Sequence, residues 1–307
     1  MNTKKNKIPV ILLFGPTAVG KTELLLELFK DRGEVINADS MQVYNRLDIG
    51  SAKPTEEYIK LIPHHLISII EPKEQFSVAD FVNRADKLVL DIYNRGKIPV
   101  ISGGTAFYFK NFIFGLPELP SIDKEIRAGI QLKLEKEGIS GLYNELFKVD
   151  PQGAKSINSG DTYRVTRALE VFTQTKRSIL SYQVSKSPRD NYDFLIIGLT
   201  RPRDELYSRI NRRVDIMFKE GLLEEFIGLY NSGLTPGDPG MKGIGYSEFF
   251  NYMLSGCWLL EDLKEDIRRN SRRYAKRQIT FFNSFADVKW VNPDNKEELV
   301  RLVNEFL

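Results

Sequence analysis

Residues 15–22 read Gly15-Pro16-Thr17-Ala18-Val19-Gly20-Lys21-Thr22, the G-x-x-x-x-G-K-T spacing of a phosphate-binding loop. That spacing dictates anion chemistry. The glycines let successive backbone N–H groups converge, and a helix N-terminus behind them adds the positive end of its dipole. Lys21 supplies a point charge for phosphate oxygens, and the Thr22 hydroxyl is a ligand for Mg²⁺. A di- or triphosphate is the expected ligand, and in isolation the loop reads as a nucleotide site of the ATP-binding kind.

Other residues could act on what the loop holds. Asp39-Ser40 follow an apolar run at 34–38, and ligands in open parallel sheets sit beyond the carboxyl ends of the strands. Asp39 suits a Mg²⁺ ligand or a general base, with a solvated turn or helix cap as the structural alternative. Ser102-Gly103-Gly104-Thr105 follows a second such run. Its glycines allow close backbone approach to a ligand, or make a tight strand-to-helix turn. Arg268, Arg269, Arg272, Arg273, Lys276 and Arg277 cover about half of one helix circumference, with few offsetting acids and with Phe281, Phe282 and Phe285 after them. Such a stripe is a solvated face or a polyanion site. Tyr163, Arg164 and Arg167 form a smaller basic-aromatic cluster. His64 and His65 are adjacent, so on a strand they point apart and do not make a two-histidine metal site.

The elements that must position these residues alternate through the first third. Strands are expected at 8–14, 34–38, 66–70 and 98–102, and helices at 22–31, 77–95 and 105–114, with Ser77 and Asp80 starting the second helix. That alternation predicts an α/β core with a parallel sheet. From 123 to about 177 the pattern is helical (123–137, 140–149, 161–175), and 178–192 reads as a polar linker. A strand returns at 193–199, then helices at 203–219, 222–232, 246–254 and 260–284, a strand at 288–291 and a helix at 295–306. The expected division is an α/β core over 1–121 and 178–307 with a helical insertion over 122–177.

The 307-residue chain is long enough to bury a sizeable core, and its net charge of +3 is mild. One cysteine, Cys257, excludes a disulfide framework and a cysteine-rich zinc site, and is expected to be a buried apolar residue. Lys4, Lys5 and Lys7 before an apolar run imitate a signal peptide, but the run ends in the phosphate loop and is better read as the first core strand. No stretch is long enough to span a bilayer, so the expected compartment is the cytoplasm.

Together these blocks resemble one family, the bacterial tRNA dimethylallyltransferases, also called tRNA isopentenyltransferases. The resemblance rests on the loop, on Asn37-Ala38-Asp39-Ser40-Met41-Gln42-Val43-Tyr44 and on Leu47-Asp48-Ile49-Gly50-Ser51-Ala52-Lys53-Pro54. It continues through Pro63-His64-His65-Leu66, Gly103-Gly104-Thr105, Leu169-Glu170-Val171, Gly243-Ile244-Gly245-Tyr246 and Ala275-Lys276-Arg277-Gln278-Ile279-Thr280. It covers nearly the whole chain, and the order and spacing of the blocks make it specific.

The resemblance implies a phosphate-loop nucleoside-triphosphate-hydrolase-like fold and transfer of a dimethylallyl group from dimethylallyl diphosphate to the exocyclic amine of adenosine 37, beside the tRNA anticodon. The loop residues Gly15 to Thr22 would then hold a diphosphate, with Mg²⁺ on Thr22. Asp39 would accept the amine proton, with Thr105 and Arg213 flanking the reacting centre. Contacts to the tRNA anticodon arm would come from Asp39, Ser40, Met41 and Gln42, from Thr105 and Arg127, and from Tyr163, Arg164, Val165, Thr166 and Arg167. Lys242, Gly243, Ile244, Gly245, Tyr246 and Ser247 would add to them, as would Lys276, Arg277, Gln278, Ile279, Thr280, Phe281, Phe282 and Asn283. The resemblance also favours a monomer. The chain departs from the family's usual Trp-Phe pair with Phe281-Phe282, and has Val19 where many members carry Ser.

Two other readings compete. The loop and fold class alone suit a small-molecule or nucleoside kinase, which the helical insertion and basic stripe oppose. A non-catalytic RNA-binding protein would not need Lys21, Thr22 and Asp39 intact.

Overall fold

A computed structural model describes residues 7–182, 184–255 and 259–307. The expectation for Cys257 falls outside them, as do Lys4 and Lys5. The chain divides into two compact units, Met1–Ile113 with Arg189–Leu307, and Phe114–Pro188.

The first unit is built on six parallel strands: β1 (Ile8–Phe14), β2 (Gly33–Asn37), β3 (His64–His65), β4 (Ile98–Gly103), β5 (Tyr192–Leu199) and β6 (Lys289–Val291), in the order β3-β2-β4-β1-β5-β6. Strands covered on both faces read as continuous apolar runs, and Val10 to Phe14 are fully buried. β1 lies at the centre, flanked by β4 and β5, so the carboxyl ends of β1 and β4 open beside each other.

The helices of this unit are α1 (Lys21–Phe29), α2 (Glu56–Leu61), α3 (Val78–Asn94) and α4 (Ala106–Phe114) before the second unit begins. Ser77 caps α3 in a capping box with Asp80, as its spacing predicts. One expected strand is wrong. Residues 66–70 are not a strand, because Leu66 and Ser68 take left-handed φ values of 62° and 50° that break an extended run. Pairing instead uses His64 and His65 against Val35 and Ile36, and Ile70 makes an isolated bridge to Tyr44.

The second unit holds α5 (Lys124–Val149), α6 (Pro151–Lys155) and α7 (Thr162–Thr175). Gly138, at φ 68°, breaks α5 where the sequence places the gap between two helices. Ile130, Leu142, Leu146, Val165 and Leu169 form the core of this unit, and Ile179 packs on it. The unit therefore reaches beyond 177.

In the remaining core, α8 (Arg203–Lys219), α9 (Leu222–Asn231), α10 (Ser247–Ser255), α11 (Leu260–Phe282) and α12 (Lys296–Phe306) follow β5. Phe282, at the end of α11, stacks on Phe14 of β1 with ring centroids 4.1 Å apart. That contact ties the last turn of α11 to the strand carrying the phosphate loop. No helix among the described residues is long and apolar enough to cross a membrane.

Candidate active site

The loop after β1 turns through left-handed residues at Ala18 (φ 64°) and Gly20 (φ 111°) before entering α1. This alternation is the geometry of an anion-binding nest. Thr17, Ala18, Gly20, Lys21 and Thr22 line a cavity of about 650 Å³. Gly15, Pro16 and Val19 are buried behind it, and Val19 packs into the sheet's hydrophobic core, where a serine hydroxyl would have no such packing role. Gly15 is sterically fixed, since a Cβ there would meet the Leu199 carbonyl oxygen at 2.9 Å.

The loop is held by groups far away in sequence. Arg201 Nε donates to the Val19 carbonyl and Arg209 Nε to the Ala18 carbonyl, both at 2.8 Å. Arg213 Nη1 donates to Thr17 Oγ1 at 2.9 Å. Lys21 Nζ donates to the carbonyls of Gly15 and Pro16 at 2.9 and 3.0 Å. Burial holds the Lys21 pKa down to about 8; the Asp39 charge opposes that shift and the Arg213 charge adds to it. Burial also lowers the Arg213 pKa, with the carboxylates of Asp39 and Glu23 opposing.

Asp39 lines the same cavity, beyond the carboxyl end of β2. Its Oδ1 accepts from Met41 N at 2.9 Å, which fixes the carboxylate in the turn. Thr105 is not among the cavity's lining residues. Its Oγ1 accepts from Ser40 N at 2.9 Å and donates to Ser40 Oγ at 3.3 Å, so it pins the Asp39-Ser40 turn. The glycines before it serve close packing of strand ends. A Cβ on Gly103 would sit 2.3 Å from the Ala38 carbonyl, and one on Gly104 would sit 2.4 Å from Gln278 Nε2.

Behind Asp39, Gln42 Nε2 donates to the carbonyls of Ser51 and Ala52. Glu225 accepts from the backbone N–H groups of Asp48, Ile49 and Gly50 at 2.8 to 3.0 Å and from the Tyr246 hydroxyl at 2.6 Å. Met41 packs so closely on Gly243 that a Cβ there would meet Met41 Cε at 2.4 Å. Lys242, Gly243, Ile244 and Gly245 complete this wall, with Ser247 beyond them.

Several expected contact residues turn out to be structural. Tyr246, Phe282 and Val165 are fully buried: Tyr246 donates to Glu225, Phe282 packs on the rings of Phe14 and Phe109, and Val165 belongs to the core of the second unit. Their side chains pack and do not face a partner. Gln278 is 4% exposed, and both ends of its amide are engaged within the protein. Ile279 packs against the main core. The stripe at 268–277 is also smaller than it reads. Arg268 pairs with Asp215 and Glu261, Arg269 with Asp266, and Arg272 with Glu265 and Asn211. The offsetting acids lie one or two turns earlier on α11, or on α8. The face left exposed is Arg273, Lys276, Arg277, Thr280 and Asn283. Arg277 also lines the cavity, and Lys110 sits over the half-buried Phe281 ring.

In the second unit Tyr163 is 77% exposed. Arg164 pairs with Asp161, while Arg127 and Arg167 share the two carboxylate oxygens of buried Glu170. Thr166 is half-buried and donates to the Thr162 carbonyl. His64 donates through Nδ1 to the Ile62 carbonyl and His65 meets Glu34, so the two histidines serve separate structural contacts.

Sequence reasoning missed Arg201, Arg209, Glu225 and Tyr274. Tyr274 lines the cavity and hydrogen-bonds to Thr105 and Gln278; burial, with the Asp39 charge, pushes its phenol up to about 12. The helical spacing of 267, 271, 274 and 278 could have revealed one face of α11.

Fold and site define an α/β protein of the phosphate-loop class, in which one cavity joins an anion cradle to a fixed carboxylate. A family model described as IPP transferase matches residues 42–285. A tRNA dimethylallyltransferase of Geobacter sulfurreducens is 41% identical over 308 residues, 99% of each chain. The structure of a tRNA isopentenylpyrophosphate transferase from Bacillus halodurans is 39% identical with a TM-score of 0.71, covering 98% of this chain and 97% of that one. A eukaryotic dimethylallyltransferase captured acting on tRNA is 28% identical with a TM-score of 0.79, covering 97% of this chain and 79% of that one. The chain belongs to the IPP transferase family, the tRNA dimethylallyltransferases.

Proposed function

We propose that this protein transfers a dimethylallyl group from dimethylallyl diphosphate to the exocyclic amine of adenosine 37 in the tRNA anticodon arm. The supporting observation is the face that α8 presents to the cavity. Arg209 and Arg213 reach the phosphate loop, while Ile210, Val214 and Met217 line the same cavity with hydrocarbon. One helix thus offers adjacent cationic and apolar stripes, which fits a ligand with an anionic head and a short hydrocarbon tail. A nucleoside triphosphate would place its ribose and base against polar partners, and the kinase reading is not favoured.

In the proposed reaction the adenine N6 attacks C1 of the allyl group as the C1–O bond breaks. The diphosphate leaves with the bonding electron pair. Asp39 takes the N6 proton, which the amine must lose because its lone pair becomes the new C–N bond. In this reading the loop amides, Lys21 and Arg213 would stabilise the charge that grows on the leaving oxygens.

The donor set fits Mg²⁺. The Thr22 hydroxyl and the carboxylates of Glu23 and Asp39 are hard oxygen ligands on one cavity, and such sites are completed by substrate phosphates and water. When bound, the ion would neutralise diphosphate charge.

A splayed anticodon-loop base suits RNA recognition of this kind. Arg273, Lys276, Arg277 and Thr280 on α11, with Asn283 just after it and Lys242, offer phosphate contacts, and Tyr163 offers a stacking face on the second unit. We take the protein to act as a cytoplasmic monomer. The test is incubation with labelled dimethylallyl diphosphate, Mg²⁺ and unmodified tRNA. Label in RNA is expected; ATP turnover on a small acceptor, with no label in RNA, overturns the reading.

A further inference from the structure

Met217 and Ile267 line the hydrocarbon end of the cavity. Helices α8 and α11 run antiparallel, as three side-chain rungs establish: Arg272 to Asn211 at 2.7 Å, Arg268 to Asp215, and Lys264 Nζ 5.5 Å over the Phe218 ring. Residues at the same level sum to nearly the same number along these rungs. Met217 therefore lies level with Ile267, on the far side of Val214 from the phosphate loop. Both side chains line the cavity, and they are 7% and 1% exposed. Met217 is four residues beyond Arg213, about 6 Å along the helix axis. Behind this level the core is closed by aromatic rings: Phe218 packs on Phe249 at 6.0 Å, and Phe249 stacks on Phe226 at 4.4 Å.

We propose that Met217 and Ile267 are the stop that sets the length of the transferred chain, restricting the donor to one five-carbon unit. The inference rests on the prenyl-diphosphate reading of the site. With the diphosphate seated on the phosphate loop, tail length decides whether a donor reaches Met217 and Ile267. A ten-carbon donor carries a second isoprene unit into the level occupied by Met217 and Ile267. Accepting it requires displacing buried side chains from a close-packed interior.

The test compares kcat/KM for dimethylallyl diphosphate and geranyl diphosphate, with one tRNA substrate, in the wild type and in Met217→Ala, Ile267→Ala and Met217→Phe. Both alanine variants should raise the geranyl-to-dimethylallyl ratio by about tenfold or more, the scale that methylene-sized pocket changes reach. Met217→Phe should lower kcat/KM for dimethylallyl diphosphate by about tenfold, while inhibition by inorganic diphosphate and tRNA affinity stay unchanged. An unchanged ratio in a folded alanine variant overturns the proposal. If truncation unfolds both, Met217→Phe decides alone, and full dimethylallyl transfer by it overturns the proposal. Failure of the donor reading would look different: the wild type would label RNA from neither diphosphate.

Discussion

Gln278 and Thr17, 261 residues apart, share a hydrogen bond in which Gln278 Oε1 accepts from Thr17 N at 3.0 Å. The other end of the same amide, Nε2, donates to the Gly104 carbonyl at 2.8 Å. One buried side chain thereby ties the phosphate loop to the turn after β4. In Gln278→Glu the carboxylate still accepts from Thr17, but it faces the Gly104 oxygen with a lone pair. That substitution is expected to cost about 1–3 kcal/mol of stability, the penalty for a buried acceptor left without a donor. Urea denaturation measures it, and donor KM should rise with it.

Asp39 is held by Met41 N and by the Ser40–Thr105 contact, so an isosteric change should leave the turn in place. Asp39→Asn is expected to lower kcat by about 10²- to 10⁴-fold, the range for loss of a positioned base. Its tRNA dissociation constant, read by filter binding, should match the wild type. Full transfer by this variant would remove Asp39 from the base role.

The pKa of Lys21, lowered to about 8 by burial, couples donor binding to pH. A bound diphosphate favours the charged ammonium and moves that pKa upward. Binding between pH 8 and 9 should therefore take up protons, and donor affinity should fall as pH rises through 8. Calorimetry in buffers of different ionisation enthalpy reads the uptake, and Lys21→Met should abolish it. In the free protein the unfolded chain binds this proton more tightly than the folded one. The Lys21 contribution thus raises stability as pH goes from about 8 toward the ordinary lysine value of 10.5.

Glu225 accepts four hydrogen bonds, three from consecutive backbone N–H groups at Asp48, Ile49 and Gly50 and one from Tyr246. Glu225→Gln places an amide N–H₂ among those donors. A loss of about 1–3 kcal/mol is expected. Thermal melting checks the loss, and amide exchange at 48–50 should accelerate.

The phosphate loop and Asp39 were legible in the sequence because their geometry is local. A strand, a turn and a helix start within eight residues fix the first, and a strand end fixes the second. The strand expected at 66–70 failed because apolar composition does not reveal the left-handed φ at Leu66 and Ser68. The stripe at 268–277 was misjudged for another reason. Glu261, Glu265 and Asp266 stand one or two turns earlier on α11 in plain view, but which arginine each one neutralises is set by side-chain geometry, and Asp215, which pairs with Arg268, lies 53 positions earlier on α8.

The sequence by itself determined the anion cradle, the carboxylate at the next strand end and the α/β alternation that sets them at one sheet edge. Only the tertiary structure decided what surrounds them. Arg201, Arg209 and Arg213 became loop supports, Gln278 a bridge, Phe282 and Tyr246 buried packing, and Met217 with Ile267 part of the cavity lining. Each of those roles depends on a partner brought close by folding across a long stretch of chain, and a contact between distant positions leaves no local pattern to read.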